Sequence, residues 1–128
     1  MQRKRAKKIV CIDDEMPGLI SLVMICESEK YIVEDFTSPL KGLEYINENH
    51  EHVGIIFLDL MMPEMYGMNV LKNLKTNSNT KHIPVVMNSC LTDPEEIKKS
   101  LDLGAVEFIS KPFSKAIIID NIKKYLIN

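Results

Sequence analysis

The sequence predicts an α/β fold in which a parallel β-sheet is covered by helices on both faces. Two observations carry this expectation. Five apolar runs of strand length alternate with longer stretches of helical period, the order produced by repeated βαβ units. Several runs are nearly continuous in Val, Ile, Leu and Phe, which suits strands shielded on both sides, whereas a strand with one wet face alternates apolar with polar.

Residues 1–7, with Arg3, Lys4, Arg5 and Lys7, read as a solvated basic tail ahead of the first strand, so the folded unit is expected to span residues 8–128. The strands fall at Lys8 to Ile12, Tyr31 to Phe36, Val53 to Leu58, Pro84 to Asn88, and Glu107 to Ile109. Helices are expected at Pro17 to Glu29, Pro39 to Asn47, Met68 to Thr76, Pro94 to Leu103, and Ser114 to Ile127. In the first helix Leu19, Leu22, Val23 and Cys26 make a core stripe, which leaves Ile20 and Met24 toward solvent as a candidate docking surface. Ser38 before Pro39, and Asp93 before Pro94, each set a capping side chain ahead of a proline suited to the first helical position. Gly104 follows the fourth helix, where a left-handed stop is useful. No linker, repeat or low-complexity stretch interrupts this order, so one domain is expected.

Composition narrows the function. The 128 residues are 45% hydrophobic and 27% charged, as in ordinary globular domains, and 16 basic against 18 acidic side chains leave a formal charge of −2. Such a balance offers no general attraction to nucleic acid or anionic membrane, and no direct binding to either is expected. Cys11, Cys26 and Cys90 cannot all pair within the chain and lack zinc-site spacing, which suits a reducing compartment. With no apolar stretch of the ~20 residues a membrane helix needs, a cytoplasmic location is expected.

Parallel sheets of this kind bind ligands at the carboxyl ends of their strands. Asp13, Asp14 and Glu15 follow the first strand, Asp59 the third, Ser89 the fourth, and Lys111 with Pro112 the fifth. Crowded carboxylates repel by about 4 kcal/mol per pair at ~4 Å and an effective dielectric near 20, so positive charge must hold them. Magnesium takes one or two protein carboxylates plus phosphate oxygens, a set that Asp14 and Asp59 supply, with Asp13 reaching it through water. Together with Lys111 it neutralises the cluster enough to admit a phosphoryl group, and Asp59 is then the natural nucleophile. Ser89 offers a hydroxyl donor to a phosphoryl oxygen, and Lys111 a compact ammonium.

These residues resemble the receiver domains of two-component response regulators from Lys8 to Leu126. The matching stretches are Ile12-Asp13-Asp14-Glu15, Leu58-Asp59-Leu60-Met61-Met62-Pro63 with Gly67, Pro84 to Cys90, and Phe108-Ile109-Ser110-Lys111-Pro112-Phe113. The resemblance implies a flavodoxin-like three-layer sandwich with sheet order 2-1-3-4-5, phosphorylation of Asp59, and Met61 as a metal ligand through its backbone carbonyl. It implies a sensor histidine kinase or histidine phosphotransfer protein as donor, no turnover beyond self-phosphorylation and self-dephosphorylation, and a downstream protein target. Switching is implied to draw Ser89 toward the phosphate and turn Phe108 inward, remodelling the face of the fourth helix, fifth strand and fifth helix. The same face is available for homodimer formation. Met61 and Leu91 stand where the family tunes hydrolytic water; both are apolar, so slow loss of the phosphoryl group is expected.

Three positions depart from the family pattern: Tyr66 before Gly67, Asn88 before Ser89, and Cys90, read as a small apolar filler. His50, His52 and His82 lie in polar connections and read as solvated. Two other functions remain open. An aspartate-nucleophile, magnesium-dependent phosphatase or phosphotransferase commonly needs a second acid two positions after the nucleophile, where this chain has Met61. A non-phosphorylated interaction domain would keep the fold without binding the metal.

Overall fold

The structure, a computed structural model, describes residues 7–90 and 93–128. Arg3, Lys4 and Arg5 of the expected tail, and Leu91, lie outside the described residues. Five strands, β1 (Lys8–Ile12), β2 (Val33–Phe36), β3 (Val53–Asp59), β4 (Val85–Ser89) and β5 (Glu107–Ser110), form one sheet in the order β2-β1-β3-β4-β5. All four pairings are parallel. Helices α1 (Met16–Ser28), α2 (Pro39–Asn49), α3 (Gly67–Thr76), α4 (Pro94–Asp102) and α5 (Lys115–Tyr125) connect the strands or close the chain, and a short 3-10 turn, His50–His52, links α2 to β3.

The strand pleat divides the core in two. Ile9, Cys11, Ile55, Phe57, Val86 and Ile109 point to the side of α1 and α5, where they meet Leu19, Leu22, Cys26, Ile118 and Ile122. Their neighbours Val10, Ile12, Ile56, Leu58, Val85 and Met87 point the other way, against Leu43 and Ile46 of α2 and Leu71 and Leu74 of α3. Every residue of β3 is buried, which explains its unbroken apolar run up to Asp59.

Local signals act where the sequence puts them. The Ser38 side chain accepts from Lys41 N–H at 3.2 Å and Asp93 from Glu95 N–H at 3.0 Å, each just ahead of a proline. Gly104 takes φ +113° after α4. The second strand is shorter than expected: Tyr31 N–H bonds back to Cys26 O, and Lys30 adopts φ 71°, so the chain is still turning out of α1 at residues 30 and 31. The fourth strand starts one residue later and includes Ser89, because parallel pairing runs to Ser89↔Ser110.

Gly67 closes the loop behind Asp59. Its N–H donates to Leu60 O at 2.8 Å, and a Cβ there would overlap the Asp59 carbonyl oxygen and press on the Leu60 backbone. Since backbone cannot yield as a flexible side chain does, Gly67→Ala should cost about 2 kcal/mol or more in stability, read as a lower urea midpoint at unchanged m-value.

Candidate functional site

The sheet gathers polar side chains at the carboxyl ends of its central strands. β1 leads directly into Asp13 and Asp14, β3 ends on Asp59, and Lys111 follows β5. Register aligns these ends: Ile12 pairs with Leu58 and Asp59 with Asn88. Backbone bonds continue past the strands, with Leu60 N–H donating to Asn88 O at 3.0 Å and Lys111 N–H to Ser89 O at 2.9 Å.

Lys111 Nζ donates to Asp13 Oδ2 at 2.7 Å and to Asp59 Oδ1 at 3.1 Å. Both carboxylates are buried, with side chains 4% and 6% exposed, so water screens these contacts weakly. Asp13 Oδ1 accepts from Glu15 N–H at 3.0 Å, which turns the chain into α1. Asp14 Oδ1 is buried without a hydrogen-bond partner. One carboxylate oxygen each from Asp13, Asp14 and Asp59 lie within 4.8 Å of one another.

Three acids thus face one ammonium. Burial first, and then the charge of Asp13, push the Asp59 carboxyl up to about 7, although Lys111 pulls against them. For Lys111, burial works against the charge, but its bonds to Asp13 and Asp59 outweigh that and raise the ammonium above its usual range. A surplus of buried negative charge and an oxygen lacking any donor are what a hard divalent cation relieves, so this donor set fits one.

The remaining expected residues arrive at the same edge or its flank. Ser89 is buried as the last residue of β4. Met61 is 51% exposed. Phe108 is half-buried and packs against the cluster on the α2 and α3 side. Cys90 departs from expectation: it is exposed, one residue beyond the end of β4, and fills no core space. It lines, with Gly18, Ser21, Lys111, Pro112 and Phe113, a cavity of about 450 Å³. Gly18 keeps the α1 wall low, since a Cβ there would stand 3.2 Å from Asp13 Oδ2 and 3.9 Å from Lys111 Nζ. His52 and His82 are exposed and His50 half-buried; among the described residues only the three aspartates form a cluster suited to a metal.

Two features escaped the sequence reading. Met16, 51% exposed, extends Ile20 and Met24 into an i, i+4, i+8 apolar ridge on α1 that begins beside the acidic cluster. The spacing was visible, but Met16 preceded the expected helix start. The Tyr66 hydroxyl donates to Glu96 of α4, a contact with no signature in sequence.

The chain belongs to the response regulator receiver domain family, whose model matches residues 9–123. It is 33% identical over 104 residues to the two-component response regulator ORR3 of Oryza sativa subsp. indica, covering 81% of this chain and 79% of that protein. It is 29% identical over 119 residues to a protein of Vibrio cholerae named "Probable cyclic di-GMP phosphodiesterase", covering 93% of this chain but only 26% of that one. Among solved structures, a CheY-like receiver domain protein from Methanospirillum hungatei superposes with TM-score 0.84 at 28% identity, covering 94% of this chain and 93% of the other. The fold is the CheY-like flavodoxin fold. Among the described residues no helix is long and apolar enough to cross a membrane.

An aspartate whose folded pKa, about 7, exceeds its ordinary value of 3.8 binds its proton more tightly when folded. The contribution of Asp59 to stability in metal-free buffer should therefore be fully present below about pH 4 and be lost as pH rises to about 7. Asp59→Asn removes that ionisation, so the variant should exceed wild type in stability near pH 8, and the gap should close toward pH 4. Thermal melts in a chelator across this range check the sign.

Proposed function

We propose that this chain is a phosphoryl-accepting signalling switch in which Asp59 is the acceptor. The observation that carries the proposal is the buried Asp13–Lys111–Asp59 bridge beside the unpartnered oxygen of Asp14. Asp13, Asp14, Asp59 and the Met61 backbone carbonyl are the groups that would hold Mg²⁺, which when bound supplies charge neutralisation to the acids and to phosphate oxygens. A carboxylate oxygen of Asp59 forms the bond to phosphorus as the donor's P–N bond breaks, and the donor imidazole keeps the electron pair. Lys111 holds the Asp59 carboxylate in place and remains to pair with the product, while the Ser89 hydroxyl donates to a phosphoryl oxygen.

The donor on this reading is a sensor histidine kinase or a histidine phosphotransfer protein, met by the ridge Met16, Ile20 and Met24. Output runs through the α4, β5 and α5 face to a protein target, with homodimer formation as a further use of that face. Phe108, Ile109, Ile117 and Asn121 line a groove of about 470 Å³ there, and Ile117 is 46% exposed. On this reading residues 8–128 make up the receiver unit, and the protein is a cytoplasmic phosphoprotein. Against a turnover phosphatase stands Met61, an apolar side chain two positions beyond the nucleophile. The pattern of apolar Met61 and Leu91 supports slow self-dephosphorylation.

Incubation with acetyl phosphate and Mg²⁺ should add one acid-labile phosphoryl group per chain, detected by intact mass, and chelator or Asp59→Asn should abolish it. Labelling that survives Asp59→Asn sinks the assignment. Ile20→Asp with Met24→Asp should slow transfer from a phosphohistidine partner about tenfold or more while leaving acetyl phosphate labelling unchanged, since buried apolar anchors carry most interface energy. Equal transfer rates would remove the ridge from the docking surface.

A further inference from the structure

The loop between β3 and α3 is fastened to the rest of the molecule at two points that phosphoryl chemistry does not use. Glu64 Oε1 accepts from Ser38 Oγ at 2.6 Å and from Leu40 N–H at 3.3 Å, which ties the loop to the first turn of α2. Tyr66, at the other end, packs its ring against the buried cluster and donates its hydroxyl to Glu96 Oε2 in α4. Burial and Glu96 push that hydroxyl up to about 12, so it stays a donor throughout the neutral range.

α4 has few other anchors. Ser100 is its one buried residue, whereas each of the other four helices buries at least three. It follows β4, whose last residue is Ser89, and its own first turn carries Glu96. The Tyr66 hydroxyl therefore spans from the loop behind Asp59 to the least buried helix of the fold. Lys111 is bound to both Asp13 and Asp59, as an Asp59 without a phosphoryl group allows, and the Tyr66–Glu96 bond is present together with those contacts.

We propose that the Tyr66–Glu96 hydrogen bond is a latch that holds α4 in its unphosphorylated position, so that Tyr66 and Glu96 set how readily the domain switches. The link to switching rests on Asp59 being the acceptor; the restraint on α4 does not. A bond present in one of two conformations favours that conformation by its own strength, and its loss shifts the population toward the other. For a half-buried hydroxyl on a carboxylate the shift is about three- to tenfold.

Tyr66→Phe removes the hydroxyl and keeps the ring in the core, and Glu96→Ala removes the acceptor. In unmodified protein each variant should speed amide hydrogen exchange in α4 about three- to tenfold, with α1 unchanged, and each should label faster with acetyl phosphate. The double variant should match the singles, because both remove one bond. Wild-type exchange in α4 of both singles, or additive effects in the double, overturns the latch. Faster exchange without faster labelling in a protein whose wild type does label overturns its role in switching. A wild type that never labels refutes the acceptor reading instead, while the exchange result still decides the restraint on α4.

Discussion

The Lys111 ammonium holds two buried carboxylates that would otherwise drive each other apart. Asp13 and Asp59 reach it from strands far apart in sequence, and both are almost fully withdrawn from water. Removing Lys111 from such a bridge leaves two buried carboxylates uncompensated, which is far more costly than an exposed ion pair is worth. The bridge is also incomplete: a third acid, Asp14, stands beside it with an oxygen that no protein donor reaches. That deficit of positive charge gives the edge of the sheet a donor set that fits a divalent cation, which a balanced pair would not.

The rest of the fold supplies the rigidity this cluster requires. β3 is buried along its whole length and carries Asp59 as its last residue, so packing on both faces fixes the Asp59 backbone. Parallel register then delivers Asp13, Ser89 and Lys111 to the same edge without any one loop having to reach across. Gly67 lets the chain fold back against Asp59 and Leu60 where any side chain would collide with backbone. The helices, by contrast, divide the surface. α1 turns an apolar ridge outward next to the acids, and α4 with α5 flank the edge strand β5 on the far side.

Much of this was legible in the sequence because its signals are local and periodic. Helix caps at Ser38 and Asp93 and the stop at Gly104 depend on neighbours a few residues away and hold in the structure, as does the order of the five strands. The polar residues of the site were legible for a different reason: parallel topology converts "directly after an apolar run" into a position in space. Errors arose at the ends of elements, where the point at which pairing stops is set by chain geometry and not by residue type. Cys90 looked like filler beside buried Ser89, yet it lies past the strand and faces solvent. The second strand lost its first two residues to a turn out of α1 that apolar content alone does not reveal.

By itself the sequence determined the class of fold and the polar residues that gather at one edge of the sheet, since alternation of strand and helix leaves few ways to arrange them. Only the tertiary structure decided which contacts those residues make. The pairing of Lys111 with both Asp13 and Asp59, the missing partner of Asp14, and the reach of Tyr66 to Glu96 join positions 98, 52 and 30 residues apart or depend on what burial excludes. Hydrogen-bond partners and desolvation are properties of packed neighbours, and packing brings together residues whose separation along the chain carries no trace of their distance in space.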